Sequence, residues 1–371
     1  MRTGEIAGTL DVGLERRLAD TWDNSGLLVG DPHRPARRAL LTLDVTAETI
    51  REAVRAGAEL IVSHHPVIFD PLKTVNEETP KGSLVSEIIR RRLAVYAAHT
   101  NVDRMQGGIN DRLAALAGIR EPRPLASVSG RGNVKIVTFL PEKDIPRVRA
   151  ALCASGAGVI GEYRECSFSA PGTGTFRGGA ASNPRVGQKG RFETVAERRL
   201  EVVVPADRIA AVVAAMRKVH SYETPAYDVY PLVEVSPGAG YGRWGDLEKP
   251  VRAGDWLRRL RRALKSSVVR TTGDLRRRVK RVAVCGGAGG EFLREALSRG
   301  VELYVTGDVR HHHFDEAASA GVILADAGHA ETDWAGFAAA VRAFWKREAR
   351  LRDVALVVSR SPWNVICAEK G

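Results

Sequence analysis

Short apolar runs recur along this chain and alternate with longer stretches in which apolar positions return every three or four residues. Ala39-Leu-Leu-Thr-Leu43, Leu60-Ile-Val-Ser63 and Ala94-Val-Tyr-Ala-Ala98 have strand character, and the spacing over Thr46 to Ala56 and Ser83 to Leu93 is helical. The rhythm returns toward the C-terminus, with strands at Arg281-Val-Ala-Val-Cys285, Leu303-Tyr-Val-Thr306 and Val322-Ile-Leu-Ala325, and helices from Glu291, near Phe314 and from Asp333. Strands alternating with helices predict parallel βαβ units.

The two regions share more than rhythm. Arg51-Glu-Ala-Val-Arg-Ala-Gly-Ala-Glu-Leu-Ile-Val-Ser63 and Arg294-Glu-Ala-Leu-Ser-Arg-Gly-Val-Glu-Leu-Tyr-Val-Thr306 agree at seven of thirteen positions without a gap. Each reads as a helix end, a Gly turn and a buried strand. The middle differs: strand Val134 to Leu140, a helix through Val148 to Leu152, a strand, a long loop, strand Leu200 to Val204, helix Ile209 to Val219 and strand Ala226 to Tyr230. This order, βαββαβ, predicts a small α+β domain of ferredoxin-like type. The expected fold is therefore α/β, with two related βαβ halves forming a core, residues 1–125 and 239–371, and a ferredoxin-like insertion at 126–238. The stretch Ser169 to Gly190 is Gly-rich enough to predict an irregular loop.

Composition narrows the setting. The chain has 371 residues and a net charge of +12, but its densest basic runs, Arg258-Arg259-Leu-Arg261-Arg262 and Arg276-Arg-Arg-Val-Lys280-Arg281, carry no interleaved aromatics. They read as solvated helix faces, which makes nucleic acid an unfavoured partner. Cys153, Cys166, Cys285 and Cys367 form no CxxC pair, which argues against a disulfide framework or a thiolate zinc site and suits a reducing cytoplasm. No apolar stretch is long enough for a membrane span, and the first residues lack the apolar core of a signal peptide.

Polar residues just after parallel strands converge on one sheet edge however distant they are in sequence. Here those positions hold Asp44, then His64 and His65, then His99 and Asp103, then Asp308, then Asp326 and His329. An Asp after a strand is often only a helix N-cap; five such placements point to a polar site. Imidazoles with carboxylates and no sulfur suit Zn²⁺, Mn²⁺, Fe²⁺ or Co²⁺, and a carboxylate can bridge two ions. His329 and Asp333, four apart at a helix start, share a face, whereas Glu331 points elsewhere. Of His311-His-His313, which splay around a helix, at most one reaches the site, with His312 the candidate for an outer or catalytic role. His33 and His220 read as ordinary surface or structural residues. Cys285-Gly-Gly-Ala-Gly-Gly290 reads as a tight, closely packed turn more readily than as an anion cradle.

Assembled, the chain resembles the NGG-one interacting factor three-like family, whose members are often called GTP cyclohydrolase I type 2 homologues. The resemblance rests on Trp22-Asp-Asn-Ser-Gly-Leu-Leu-Val-Gly30, Ser63-His-His-Pro66, His99-Thr-Asn-Val-Asp103, Gly107-Gly-Ile-Asn-Asp111, Thr306-Gly-Asp308 and Asp326-Ala-Gly-His329. In the middle it rests on Gly187-Gln-Lys-Gly190 and His220-Ser-Tyr-Glu-Thr-Pro-Ala-Tyr-Asp228, which look like the insertion of the longer bacterial members. It implies two divalent ions per subunit, with zinc, iron or manganese expected, held by His64, His65, Asp103 and His329, and a homohexameric ring. The family's fifth ligand is a Glu; here Asp333 stands in that place, and its shorter carboxylate binds weakly, binds through water or yields to Glu331. The function expected is a metal-dependent hydrolase acting on GTP, a related nucleotide or another phosphorylated metabolite, with His312 or His99 handling protons. The alternatives are a metal-handling or regulatory ring without catalysis and, behind it, a nucleic-acid-associated assembly.

Overall fold

The computed structural model describes residues 1–129, 133–161, 163–232 and 235–361, so Cys367 lies outside it. The chain forms two compact units, residues 1–130 with 236–371, and residues 131–235.

The first unit is built on two sheets. One has five strands in the order Gly26–Val29, Ala94–Ala97, Leu60–Ser63, Arg38–Thr42 and Ala355–Val358. All neighbours run parallel except the first pair. The other has six, in the order Arg270–Thr271, Ile323–Asp326, Leu303–Gly307, Arg278–Ala288, Val235–Arg252 and Arg120–Ser129. Its Arg278–Ala288, Leu303–Gly307 and Ile323–Asp326 strands are parallel.

The apolar runs are continuous because both faces of each sheet are covered. Leu60 and Val62 point into one large core with Val282, Val284, Leu303, Val305 and Phe337, while Ile61 packs on the opposite face with Ile50, Ile88 and Val95. Ala283, Cys285, Tyr304 and Leu324 likewise supply a separate cluster behind the second sheet. The period-2 alternation of a strand thus sorts one run into two cores. The large core also takes in Ile109 and Leu113 of helix Ile109–Ala117 and Val341 and Phe344 of helix His329–Arg347.

The repeated segment has the same local geometry twice. Helix Ala47–Ala56, capped by the Thr46 side chain on the Thr49 N–H, ends at Gly57 with φ 64° and leads to Leu60–Ser63. Helix Leu293–Ser298 is followed by Gly300 with φ 67° and then Leu303–Gly307. A side chain with a Cβ rarely adopts that left-handed backbone, which explains the shared glycine. The basic run at Arg258 lies on helix Ala253–Leu264, whose Trp256, Leu257, Leu260 and Leu264 are buried while Arg258, Arg259, Arg261 and Arg262 are exposed. Among the described residues no helix is long and apolar enough to cross a membrane, and Cys153, Cys166 and Cys285 are free thiols.

The second unit contains a four-stranded antiparallel sheet in the order Ser167–Arg177, Phe192–Val204, Val134–Leu140 and Tyr227–Pro231. Helices Ile145–Ala154 and Ile209–Val219 cover one face, burying Ile136, Val148, Leu152, Leu200, Val202 and Met216. Here the structure corrects one expectation. The first part of the predicted Ser169 to Gly190 loop is an edge strand, paired through Arg177 with Phe192–Val204. Its glycines are compatible with extended backbone, and Gly174 leaves room for the Glu197 carboxylate of the neighbouring strand.

Several elements have no counterpart in the apolar pattern, among them helices Thr3–Gly13 and Thr100–Arg104 and the long strand Val235–Arg252. The last is tied across the unit by Arg243, whose buried guanidinium meets both carboxylate oxygens of Asp111 at 2.5 and 3.0 Å. Helix His329–Arg347 starts four residues before the expected Asp333, so that His329 occupies its first turn.

Candidate metal centre

Strand Leu60–Ser63 stops at Ser63, and the next two residues place imidazoles at the edge of the five-stranded sheet. His64 is fully buried and His65 is partly so. Helix Thr100–Arg104, which follows strand Ala94–Ala97, brings up the buried Asp103. From the other sheet, the segment after Ile323–Asp326 opens into helix His329–Arg347, whose first turn and a half projects His329 and Asp333 on one face.

These side chains meet. His329 Nε2 lies 3.0 Å from Asp333 Oδ2 and 3.3 Å from His65 Nε2. Asp333 Oδ2 is also 3.4 Å from His65 Nε2 and 3.6 Å from His64 Nε2, and Asp103 Oδ1 is 3.9 Å from His64 Nε2. Three overlapping sets, His64/Asp103/Asp333, His65/His329/Asp333 and His64/His65/His99, have ligand atoms within 4.8 Å of one another and could each hold a metal ion.

The outer nitrogen of every histidine is already engaged. His64 Nδ1 donates to the Ala98 carbonyl at 2.9 Å, His65 Nδ1 to Asp44 at 2.8 Å, His329 Nδ1 to Asp308 at 2.7 Å and His99 Nδ1 to Asp23 at 2.8 Å. Such partners fix the tautomer and the ring plane, leaving Nε2 with its lone pair toward the centre. Two such lone pairs 3.3 Å apart, in His65 and His329, repel unless a proton or a cation lies between them. Asp103 Oδ1 is buried with no hydrogen-bond partner, a costly arrangement without a counter-charge. A divalent cation satisfies both conditions, so the residues present fit a metal.

Protonation follows the same geometry. Burial holds the His64 pKa down at about 4, despite the nearby Asp333. Burial acts the same way on His65 and His329, but Asp333 with Asp44, and Asp333 with Asp308, outweigh it and raise them to about 10 and about 9. Burial, then the charge of Asp333, pushes the Asp103 carboxyl well up, whereas the three histidines hold Asp333 well below the usual carboxylate range in spite of its burial. In the absence of metal, protons on His65 and His329 neutralise Asp333.

Asp44 and Asp308, which follow strands as candidate N-caps, orient histidines instead; Thr46 is the cap of the helix after Asp44. Asp326 accepts from Arg270 and from the Val309 and Gly328 N–H groups, outside the three sets. Glu331 is buried beside the Gly328 backbone and belongs to none of them. His312 is exposed on helix His311–Ser319, its ring tilted against that of His313 with centroids 4.1 Å apart, and among the described residues it is in no such set. The glycines of Cys285 to Gly290 line the centre closely: a Cβ at Gly286 would come within 2.9 Å of Asp333. The Gly286, Gly287 and Gly289 N–H groups are spent on Asn110, Thr332 and Thr306, in keeping with close packing as their role.

The residue that the strand pattern missed is Asp23. Its side chain is fully buried and accepts from His99, from the Ser25 hydroxyl at 2.6 Å and from the Thr100 hydroxyl at 2.6 Å. Burial alone would raise its pKa, yet His99 and these hydroxyls hold it well below the usual range. Asp23 lies in the Trp22 to Gly30 segment that carries the family resemblance, but nothing in its local sequence indicates a partner 76 positions away.

Comparison with known proteins agrees with this architecture. The model of the Duf34/NIF3 (NGG1p interacting factor 3) family matches residues 1–362. The chain belongs to the Duf34/NIF3 family. It is 39% identical over 372 aligned positions to a Mycobacterium tuberculosis protein named GTP cyclohydrolase 1 type 2 homolog, covering 98% of this chain and 97% of that one. A Halalkalibacterium halodurans protein of the same name is 39% identical over 314 residues, 85% of this chain and 84% of its own. Among solved Duf34/NIF3-like structures, a Bacillus cereus protein related to NIF3 superposes with a TM-score of 0.69 at 34% identity, covering 100% of this chain and 99% of that one. Staphylococcus aureus protein SA1388 superposes at 0.73 and 24% identity over 100% and 99% of the two chains, a likeness of fold.

Proposed function

We propose that this Duf34/NIF3 chain is a metal-dependent hydrolase whose centre holds two divalent cations, zinc, iron or manganese, and acts on GTP or a related nucleotide or phosphorylated metabolite. The observation that carries the reading is the convergence of the Nε2 atoms of His64, His65 and His329, each with its Nδ1 already bonded, on the buried Asp333, with the buried Asp103 3.9 Å from His64. His64 and Asp103 would hold one ion and His65 and His329 the other. Asp333 Oδ2, within 3.0 to 3.6 Å of three Nε2 atoms, is placed to be shared by both. The contact distances of Asp333, together with the separate burial of Glu331 beside Gly328, favour Asp333 as the carboxylate in the family's Glu position.

Bound there, such ions lower the pKa of a water and polarise the bond under attack. The chain's own contribution is proton handling. His99 has its Nδ1 locked by Asp23 and its ring 5.2 and 5.7 Å from those of His64 and His65. It can therefore accept a proton at Nε2 and return it to a leaving group, while exposed His312 lies outside the sets. The substrate class rests on the names of the relatives and on the net positive charge, which favours a phosphorylated ligand. The same reading includes two related βαβ halves around the centre, a ferredoxin-like insertion, a homohexameric ring and a cytoplasmic setting. The repeated helix, glycine and strand, and the antiparallel four-stranded sheet with two helices, support its first two parts.

Anaerobic purification with elemental analysis, followed by a panel of nucleotides and phosphoesters, tests the proposal. Two ions per chain and turnover that disappears in a His64→Ala, Asp103→Ala double variant are expected. A fully metal-loaded protein that turns over nothing would leave metal handling as its function.

A further inference from the structure

The second unit contains a cavity of about 600 Å³ built entirely from residues 139–226. That volume is in the range of small-molecule sites. Two segments that stand out in the sequence for different reasons form its walls. One is the Gly-rich stretch running from strand Ser167–Arg177 into the loop after it. The other is Tyr222-Glu-Thr224 with Ala226, from the segment that begins at His220.

The walls are stitched in place. Gly178 bridges to Lys189, the Gly190 N–H donates to the Gly178 carbonyl at 2.8 Å, and the Gln188 N–H donates to Glu193 at 2.9 Å. The Asn183 N–H donates to Glu223 at 2.8 Å, joining the first wall to the second. Tyr222 is held by its N–H on His220 Nδ1 at 3.0 Å and by its hydroxyl on the Glu197 carboxylate.

What lines the space is chemically uneven. The half-buried surface holds the Phe139 ring with the Arg199 guanidinium 5.9 Å from its centroid, the Phe176 and Tyr222 rings, and the Glu197 carboxylate; the second carboxylate of the lining, Glu223, is exposed and already accepts from the Asn183 N–H. Gly172 and Gly174 give one wall a side-chain-free surface, and Arg185 stands exposed at the rim. Aromatic and guanidinium planes are stacking surfaces for flat heterocycles. A carboxylate with two oxygens, only one of which Tyr222 needs, accepts from a pair of adjacent N–H donors. Arginine at the rim meets a phosphate or carboxylate on the ligand.

We propose that this cavity is a second ligand site, one that takes a planar heterocycle presenting the 2-amino-4-oxopyrimidine edge shared by guanine and pterins, with Glu197 reading that edge. The site is independent of the metal centre, and an empty or inactive centre leaves it intact. Gly172 provides the sharpest probe. It pairs with Glu197 across the two strands, so both project on the same face, and a Cβ there meets no atom within 4 Å. Gly172→Leu therefore starts from open space at its Cβ and projects on the Glu197 side of the strands.

Isothermal titration of the full-length, metal-loaded protein with GMP, neopterin and AMP tests this. GMP, neopterin or both bind the cavity at one per chain, an equivalent distinct from any nucleotide held at the metal centre because it persists in His64→Ala, and AMP, whose edge lacks the paired donors, binds there at least about tenfold more weakly. Which of the first two binds identifies the source of the edge. Glu197→Gln weakens binding about tenfold or more by replacing an acceptor with a donor, and Gly172→Leu abolishes it, with thermal unfolding and metal content unchanged in both. His64→Ala leaves the binding as it is. Absence of binding by GMP and neopterin at millimolar concentration overturns the proposal, as do equal affinity for AMP and binding that survives both cavity variants.

Discussion

The centre of the first unit and the cavity of the second solve opposite problems. At the centre, polar atoms are crowded until two imidazole nitrogens stand 3.3 Å apart and a carboxylate oxygen has no partner. In the cavity, side chains are withheld: glycines form a wall, and one carboxylate stands among aromatic rings. The first arrangement is unstable in charge until something cationic enters, and the second is stable but incomplete in shape. Selectivity at the centre therefore comes from electrostatics and ligand geometry, and in the cavity from stacking and one hydrogen-bonding edge.

That contrast can be broken at the centre first. A His64→Ala, Asp103→Ala variant should lose metal at one position altogether, with at least one fewer ion per chain by elemental analysis; unchanged metal content would remove the centre's side of the comparison. Acidification comes next. His65 and His329 titrate at about 10 and about 9, so below those values each must release a proton before it can ligate. Metal affinity should rise with pH up to about 10, by as much as about tenfold per unit for each displaced proton, more steeply below about 9, where both histidines carry one, and fall on acidification. His64, lowered to about 4, adds no such dependence above that pH. Competition with a chromophoric chelator from pH 6 to 9 measures the slope, and a flat profile would contradict the assigned protonation.

Smaller effects sharpen the picture. Asp44→Asn and Asp308→Asn keep the size of the side chain that holds Nδ1 but remove its charge, and each should weaken metal binding by about 10- to 100-fold. Leu152→Ala in the core of the second unit should cost about 2–5 kcal/mol of that unit's stability by cavity formation, read by denaturant unfolding. Metal content should stay constant. A parallel loss of metal would mean that the two regions are one thermodynamic unit.

How much of this could be read beforehand depended on whether a residue's role was local. His64, His65 and His329 follow strands whose apolar runs are legible because both sheet faces are buried, and His329 with Asp333 needed only the helical period. The repeat around Gly57 and Gly300 was visible for the same reason, since left-handed backbone selects glycine. Asp23 was hidden because its role rests on a contact with His99 made across the fold. Strand Ser167–Arg177 was hidden because glycine carries no side-chain pattern to read, and its extended form is enforced by its neighbour, Phe192–Val204. His312, expected in an outer or catalytic role, is exposed and in none of the candidate metal sets among the described residues.

The contact between His65 and His329 joins positions 264 residues apart. A cation shared there is a clasp on one of the longest loops the chain can close. Loop-closure entropy grows only as the logarithm of loop length, so a span of that size is not much dearer to close than a short one, while the ion adds stability as its concentration exceeds its dissociation constant. The clasp also imposes an order in time: a chain still being synthesised carries His64, His65 and Asp103 long before His329 exists. Occupancy of the complete centre would thus be a signature of a chain made at least through Asp333, and a shorter one could hold an ion only by His64, His65, His99 and Asp103.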